Sequence, residues 1–327
     1  MSFQIIPYNE SLQTEWDHLV NQSRQGTFLF NRAYMDYHAD RFHDESLMIR
    51  DEKGRFVALF PVCRIPGEAS AVASHAGLTY GGLLTTSRVS VEAMLEIFQA
   101  IKHYFAEQGF TSLLYKPIPY IYHQYPSEED LYALFRIGAE LETRSISSVI
   151  DLTKPYSFSE LRRRKVRKAE RTASLLYTES MEHLETYWHV LDSVLISRHN
   201  VHPVHTLEEI QLLINHFPNQ IKLCTACMAD NPSHVVAGCL LFVCQNVVHV
   251  QYIASGKDGK ACGALDWLFA RVITEVRKRL PQIRYFDFGI STEHGGLYLN
   301  EGLIFQKEGF GGRGVCYDSY RDRKSVV

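Results

Sequence analysis

The sequence predicts a mixed α/β fold, an α+β sheet protein built from two units of like element order. Three observations carry that expectation. The chain has 327 residues, more than one small domain needs and comfortable for two. Its apolar share of 46% and aromatic share of 12% can fill a sizeable core. Segments of strand period and of helix period then alternate in nearly the same order in both halves.

In the first half, "FQIIPY" reads as a strand and "SLQTEWDHLVNQ" as a helix. "NRAYMDYHADRF" has helical spacing, and "SLMIRD" is a strand. The turn at Asp51–Glu52–Lys53–Gly54 leads into "RFVALFPVCRI", with "AVASHAGLTY" as a weaker strand after it. An amphipathic helix is expected from Val89 to Gln108. "TSLLYKPI" is a strand, "SEEDLYALFRI" a helix, and "ETRSISSVIDL" a long strand.

The second half repeats the order. "LLYTES" is a short strand, and "MEHLETYWHVLDSVLISR" carries apolar residues at helical spacing. "TLEEIQLLINHF" opens with a capping box, Thr206 as N-cap and Glu209 three residues on. "QIKLCTACMA" is a strand, and "VVAGCLLFVC" and "VVHVQYIAS" form a hairpin across Gln245–Asn246. A helix from Gly263 to about Leu280 precedes the strand "RYFDFGI". "LYLNEGLIFQKEGF" is helical in spacing, and "GVCYDSY" is a last strand. The boundary is expected around Thr153–Lys154–Pro155, giving domains 1–152 and 153–327.

Composition excludes several functions. A net charge of -3 gives no overall attraction to DNA. The N-terminus has neither a basic leader nor an apolar core of signal length, and no apolar run is long enough to span a membrane. A cytoplasmic location is expected. Seven cysteines at irregular spacing suit reduced thiols. Cys224 and Cys227 form one isolated C-x-x-C, and the histidines of "RHNVHPVH" sit on a proline-bearing loop, so no metal site is expected.

Several stretches together resemble a known group: "TFLFNRAYMDY", "LRRRKVRKAER", "PVHTLEEI", "HVQYIAS", "DGKACGA" and "FDFGISTEHGG…LIFQKEGFGG". In order and spacing they are similar to tandem-GNAT acyltransferases of the FemAB-like and BioF2-like kind. The resemblance implies two GNAT-like acyl-CoA N-acyltransferase domains. It implies an acyl donor and an amine acceptor, both small molecules, the acceptor an amino sugar or a bacterial cell-envelope precursor. Acyl-CoA is the expected donor and no cofactor is permanently bound. An aminoacyl-tRNA-dependent peptidyl transferase, with tRNA as partner, is the alternative. An inactive GNAT-like binding protein is a third reading.

The resemblance also directs attention to residues. "SGKDGKACGA" sits where the family keeps its donor loop, so Gly256, Lys257, Gly259, Lys260, Cys262 and Gly263 are candidates for donor contact. Asp258 and Ala261 depart from the family's loop pattern, and the stretch also reads as a plain strand-to-helix turn. The reaction is expected where the fourth and fifth strands diverge. Alternation puts His249 and Gln251 on one face of the fourth strand and Tyr252 on the other. Asp287, Glu293 and His294 are the acid–base candidates on and after the fifth strand. His202, His205, Tyr252 and Gln251 are the acceptor candidates. Phe305 stands where many GNAT enzymes carry a tyrosine, and Tyr298 and Tyr317 are its possible substitutes. Lys307 of "FQKEGF" is expected to point off the stripe that Phe310 buries, as a cation near the donor phosphate or the reacting carbonyl.

Overall fold

The computed structural model describes residues 3–323. The chain divides into two compact units. The first takes Met1–Ile146, Thr292–Tyr298 and Cys316–Val327, and the second Ser147–Ser291 and Leu299–Val315. The division lies inside a strand and not at the Thr153–Lys154–Pro155 turn.

In the first unit, β1 (Gln4–Pro7), α1 (Gln13–Gln22), α2 (Arg32–Met35), β2 (Leu47–Arg50) and β3 (Phe56–Phe60) come first. β4 (Cys63–Ile65), β5 (Glu68–Ala73), β6 (Leu84–Thr85), α3 (Val91–Glu107), β7 (Ser112–Tyr115) and α4 (Glu129–Ile137) follow. β8 (Glu140–Asp151) then runs from the first unit into the second. One sheet has the order β1-β2-β3-β6, and β4-β5-β7 are consecutive in another, with β5 and β7 parallel. Ser90 caps α3 through Ala93 N–H. Three expectations are corrected. The segment 31–42 is helical only over Arg32–Met35, followed by a 3-10 turn at Asp36–His38. The strand expected over 55–65 breaks at Pro61, where a ladder donor is missing. The strand expected to reach Tyr80 stops at Ala73, and His75 turns with φ 37.

The second unit holds α5 (Glu160–Thr172), β9 (Leu175–Thr178), α6 (Leu184–His199), α7 (Leu207–His216), β10 (Ile221–Met228), β11 (Asn231–Val243) and β12 (Val247–Ser255). Then come α8 (Lys257–Cys262), α9 (Ala264–Arg279) and β13 (Tyr285–Ile290). The two-residue strands β14 (Thr292–Glu293) and β15 (Tyr298–Leu299) pair with each other. α10 (Glu301–Glu308) and β16 (Arg313–Asp322) end the chain, and part of β16 belongs to the first unit. The strand order is β8-β13-β12-β11-β10-β9, with only β12 and β13 parallel among the pairs from β8 to β9. Thr206 and Glu209 close the capping box of α7 in both directions.

The core of this unit is the face of the sheet that α9 covers. Val248, Val250, Phe286 and Phe288 pack there with Trp267, Phe269, Val272, Ile273 and Phe310. α6 covers the other face, and Gly238 of β11 lets it approach. A Cβ on Gly238 would stand 2.4 Å from Cδ2 of Tyr187, which is 0% exposed and has nowhere to go. We therefore expect Gly238→Ala to lower unfolding stability by about 1–3 kcal/mol, the usual cost of overpacking. Urea melts check this, and an unchanged midpoint at an unchanged slope would contradict it.

Candidate functional site

The site begins with a ladder that stops. β12 and β13 are parallel partners at Val247↔Tyr285, Val248↔Phe286 and His249↔Asp287, and at no later residue. On the other edge of β12, Leu240 of β11 partners Tyr252 while Leu241 partners Val250, so Gln251 is an extra residue in a β-bulge. The bulge changes the alternation. Val248 and Val250 face α9, yet the next residue to pack with that core is Ile253. Tyr252 turns instead to α6, its ring 5.3 Å from that of Trp188. His249 and Tyr252 therefore share one face, where unbroken alternation had set them on opposite faces.

Asp287 lies between two core phenylalanines, so its side chain points to the same face as His249. The carboxylate is 0% exposed. Its Oδ2 is 2.8 Å from Nδ1 of His249, and its Oδ1 accepts from Gly289 N–H at 2.9 Å and from the Ser147 hydroxyl. Three donors turned on one carboxylate fit an ionised, acceptor-only group. That assigns the Nδ1 proton to His249 and leaves Nε2 as the ring's basic nitrogen. Nε2 has no hydrogen-bond partner among the described residues. Gly289, at φ 78, lets the chain turn beside the imidazole. His249 and Ser147 were not among the sequence candidates. The signal for His249 was its place on the fourth strand in register with Asp287, which only the parallel pairing reveals.

Lys307 reaches the parting from α10. It is 5% exposed, and Nζ donates to the carbonyls of Gly289 and Ile290, each at 2.7 Å. The expectation that it points off the buried stripe is corrected: Lys307 lies in a recess with Phe269, Phe288 and Phe310. Burial pushes its ammonium down to about 8, against the opposing pull of Asp287. Two of its three N–H groups hold the last turn of β13, and one remains.

The acceptor candidates separate. His205 Nδ1 is 2.6 Å from the Tyr252 hydroxyl, and burial raises that phenol to about 12. Gln251 is the extra residue of the bulge beside it. His202 stands apart, exposed and bonded to Asp192 at 2.7 Å. Glu293 and His294 are exposed, and both fall in the first unit. Tyr298 and Tyr317 also fall in the first unit, and Phe305 is largely exposed.

The donor loop is a helix. Lys257–Cys262 form α8, capped by Gly263 at φ 76, so α9 starts at Ala264. The glycines serve packing and turning. Gly256 N–H bonds Val236 O at 3.0 Å, and Gly263 N–H bonds Gly259 O. A Cβ on Gly259 would stand 2.1 Å from Val236 O. The expected anion contact of the Gly263 amide is thus corrected, because a protein carbonyl takes it, and the Gly256 amide is taken in the same way. Cys262 likewise lies 3.6 Å from Gly259 O. Asp258 turns away, toward His234 at 3.4 Å, and Lys257 is exposed.

A groove of about 490 Å³ opens at the first turn of α9. Lys260, Cys262, Gly263 and Leu265 line one side, and Arg162, Lys165, Lys168 and Arg198 make it cationic. Ile253, Leu303 and Gln306 line both this groove and the Lys307 recess. In the groove wall Asp266 receives both Oδ contacts of Arg162 Nη1, at 2.8 and 2.9 Å, and Gln306 Nε2 at 3.2 Å. This buried pair fixes α5 against α9. Lys165 adds a longer contact to Asp266 at 3.6 Å while staying half exposed, and with Lys168, Arg198 and Lys260 it supplies the groove's exposed cations.

A strand parting beside a basic groove at a helix start is the frame on which the family comparison falls. Residues 159–295 match the model described as an acetyltransferase (GNAT) domain. Residues 159–295 carry a GNAT acetyltransferase domain. The whole chain shares its fold with FemX, at 11% identity, 97% of this chain and 96% of that one, with a TM-score of 0.66. It shares it with the C-terminal domain of a putative lysylphosphatidylglycerol synthetase from Agrobacterium fabrum, at 13% identity, 97% and 93% coverage and a TM-score of 0.61. It is also similar to a tandem GNAT protein from the clavulanic acid biosynthesis pathway, at 10% identity, 98% of each chain and a TM-score of 0.53. No curated protein sequence matches significantly. The fold is that of the tandem-GNAT, FemAB-like group, and the GNAT domain is an N-acyltransferase domain.

The buried lysine of this GNAT domain makes stability depend on pH. Its folded value, about 8, lies below the ordinary 10.5, so the unfolded chain binds more protons between them. Lys307 therefore contributes stability that is complete above the unfolded value and is lost as pH falls through about 8. We expect the wild type to gain on the order of 3 kcal/mol from this group between those limits. Lys307→Met should flatten that rise. Denaturant melts of both proteins across the window check it, and parallel curves would contradict it.

Proposed function

We propose that the GNAT domain transfers an acyl group from a phosphate-bearing donor to an amine, with His249 as the general base and Asp287 as the residue that orients it. The observation that carries the reading is the His249–Asp287 pair on the last rung before β12 and β13 part. The donor would lie in the cationic groove, with its acyl end at the recess of Ile253, Phe288 and Lys307. The amine would approach from the face of His249, Tyr252 and His205. His249 Nε2 takes the amine proton as the nitrogen attacks the acyl carbon. Lys307 holds the end of β13, and its remaining N–H faces the place where negative charge develops.

Acyl-CoA is the donor we favour, since its pyrophosphate suits Lys165, Lys168, Arg198 and Lys260 around the first turn of α9. The acceptor class we favour is an amino sugar or cell-envelope precursor, and the location cytoplasmic, where such a donor is made. A second reading, transfer from aminoacyl-tRNA, draws on Arg163, Lys165, Arg167 and Lys168, which present charge along α5, and on the likeness to FemX. An inactive binding protein would have little use for a buried carboxylate that three donors hold against a histidine. We also read residues 1–152 and 153–327 as two copies of the fold unit, the second bearing the chemistry.

Thermal-shift titration with acyl-CoAs and with aminoacyl-tRNA separates the donors, because a ligand of the native state raises the melting temperature. With the true donor, His249→Gln should lower kcat by about 10²-fold or more with KM nearly unchanged. Wild-type turnover in that variant would remove His249 from the mechanism. Joint Lys165→Glu and Lys168→Glu should raise the donor's KM at least tenfold, about 1.4 kcal/mol, at nearly constant kcat. An unchanged KM would move the donor out of the groove.

A further inference from the structure

The second unit has another cavity, at the opposite end of α9 from the groove. Its volume is about 120 Å³, and Leu241, Val248, Val272 and Val276 give it an apolar wall. Glu179, Lys222, Glu275 and Arg279 also line it, and Arg279 pairs with Glu179 at 2.7 Å. Nothing in the acyl-transfer reading uses it. Cys224 of β10 lines it too, with the Tyr177 hydroxyl 3.5 Å from Sγ.

Cys224 has a cysteine for a neighbour. Its register partner on the antiparallel strand β11 is Cys239. Register partners project to one face of a sheet, and both cysteines belong to the core that α9 covers. Cα atoms of antiparallel partners lie about 4.5–5.5 Å apart. That separation falls inside the roughly 4.4–6.8 Å that a disulfide spans. Among the described residues no other two cysteines are register partners. Cys239, beside it on β11, is 0% exposed and does not line the cavity.

We propose that Cys224 and Cys239 are a peroxide-reactive thiol pair, with the cavity as the entry for a small hydroperoxide and Cys239 as the resolving thiol. The Cys224 sulfur attacks one peroxide oxygen and the O–O bond breaks. The thiol proton leaves with the departing oxygen, as water from hydrogen peroxide or as an alcohol from an organic hydroperoxide, and Cys224 becomes a sulfenic acid. The Cys239 sulfur then attacks the Cys224 sulfur. The S–O bond breaks, water departs with the Cys239 proton, and a cross-strand disulfide remains. The thiol pair loses two electrons and the peroxide gains them. A core thiol walled in on every side is inert, so the cavity is what sets Cys224 apart from Cys239.

The test treats the folded full-length chain with hydrogen peroxide and maps its peptides by mass spectrometry, with the exposed Cys316 as the internal reference. The expected product is a Cys224–Cys239 bridge formed in native protein on the timescale of Cys316 oxidation. In Cys239→Ser, oxidation should stop at a sulfenic acid on Cys224 that dimedone captures. In Cys224→Ser, Cys239 should remain a thiol, its loss slowed at least tenfold. Circular dichroism melts show that each variant is folded, with Cys→Ala replacing any that is not. Oxidation of Cys316 while both core thiols stay free would overturn the proposal. So would a bridge that forms only in denaturant, or loss of Cys239 at the wild-type rate in Cys224→Ser.

Discussion

The site depends on the end of one parallel ladder. β12 and β13 bond over three rungs and then separate, because the bulge at Gln251 re-aims one strand and Gly289 turns the other. Separation leaves the end of β13 without a strand partner on its β12 edge, though β8 still pairs on the other, and the freed backbone groups must be satisfied. Lys307 meets that need with two hydrogen bonds from outside the sheet. Continued pairing would close the recess and bury His249 in a flat sheet. The same geometry places the imidazole on one face of the gap and the cationic groove toward the other.

Charge within this unit is held in matched positions. Asp287 has no exposure but receives three donors, and Asp266 is met by Arg162 and Gln306. Each buried carboxylate thereby escapes the penalty of an unpaired ion. The Asp266–Arg162 pair also acts on α5 as a whole. It ties the helix to α9 through its innermost arginine, so the next turn presents Lys165 and Lys168 to the groove. A run of basic residues thus contains one structural cation and several available ones, a distinction that charge counting along the sequence does not make.

Much of the architecture was legible in the chain. Thr206 and Glu209 announced α7, and the two halves of the β11–β12 hairpin stood out as apolar runs around Gln245–Asn246. The parting of the fourth and fifth strands was expected from the resemblance, and Asp287 was singled out there. What failed had local causes. A two-period reading cannot see an extra residue, so Gln251 and Tyr252 were assigned to the wrong relation. Glycines near lysines read as an anion loop, whereas Gly259 answers to the carbonyl of Val236, which is 23 residues away in sequence. His249 becomes a candidate only through its rung with Asp287, and rungs between parallel strands are not written in either strand alone.

The central claim is that His249 presents a bare Nε2 because Asp287 holds its Nδ1 proton. Nitrogen-15 NMR of the histidine side chains, with His249→Gln to assign the resonance, reads that directly. The account predicts that neutral His249 carries its proton on Nδ1, and that the Nε2 signal shifts when an amine acceptor is added. A proton found on Nε2 would contradict it, since the ring would then have no basic nitrogen for the substrate and Asp287 no donor to orient.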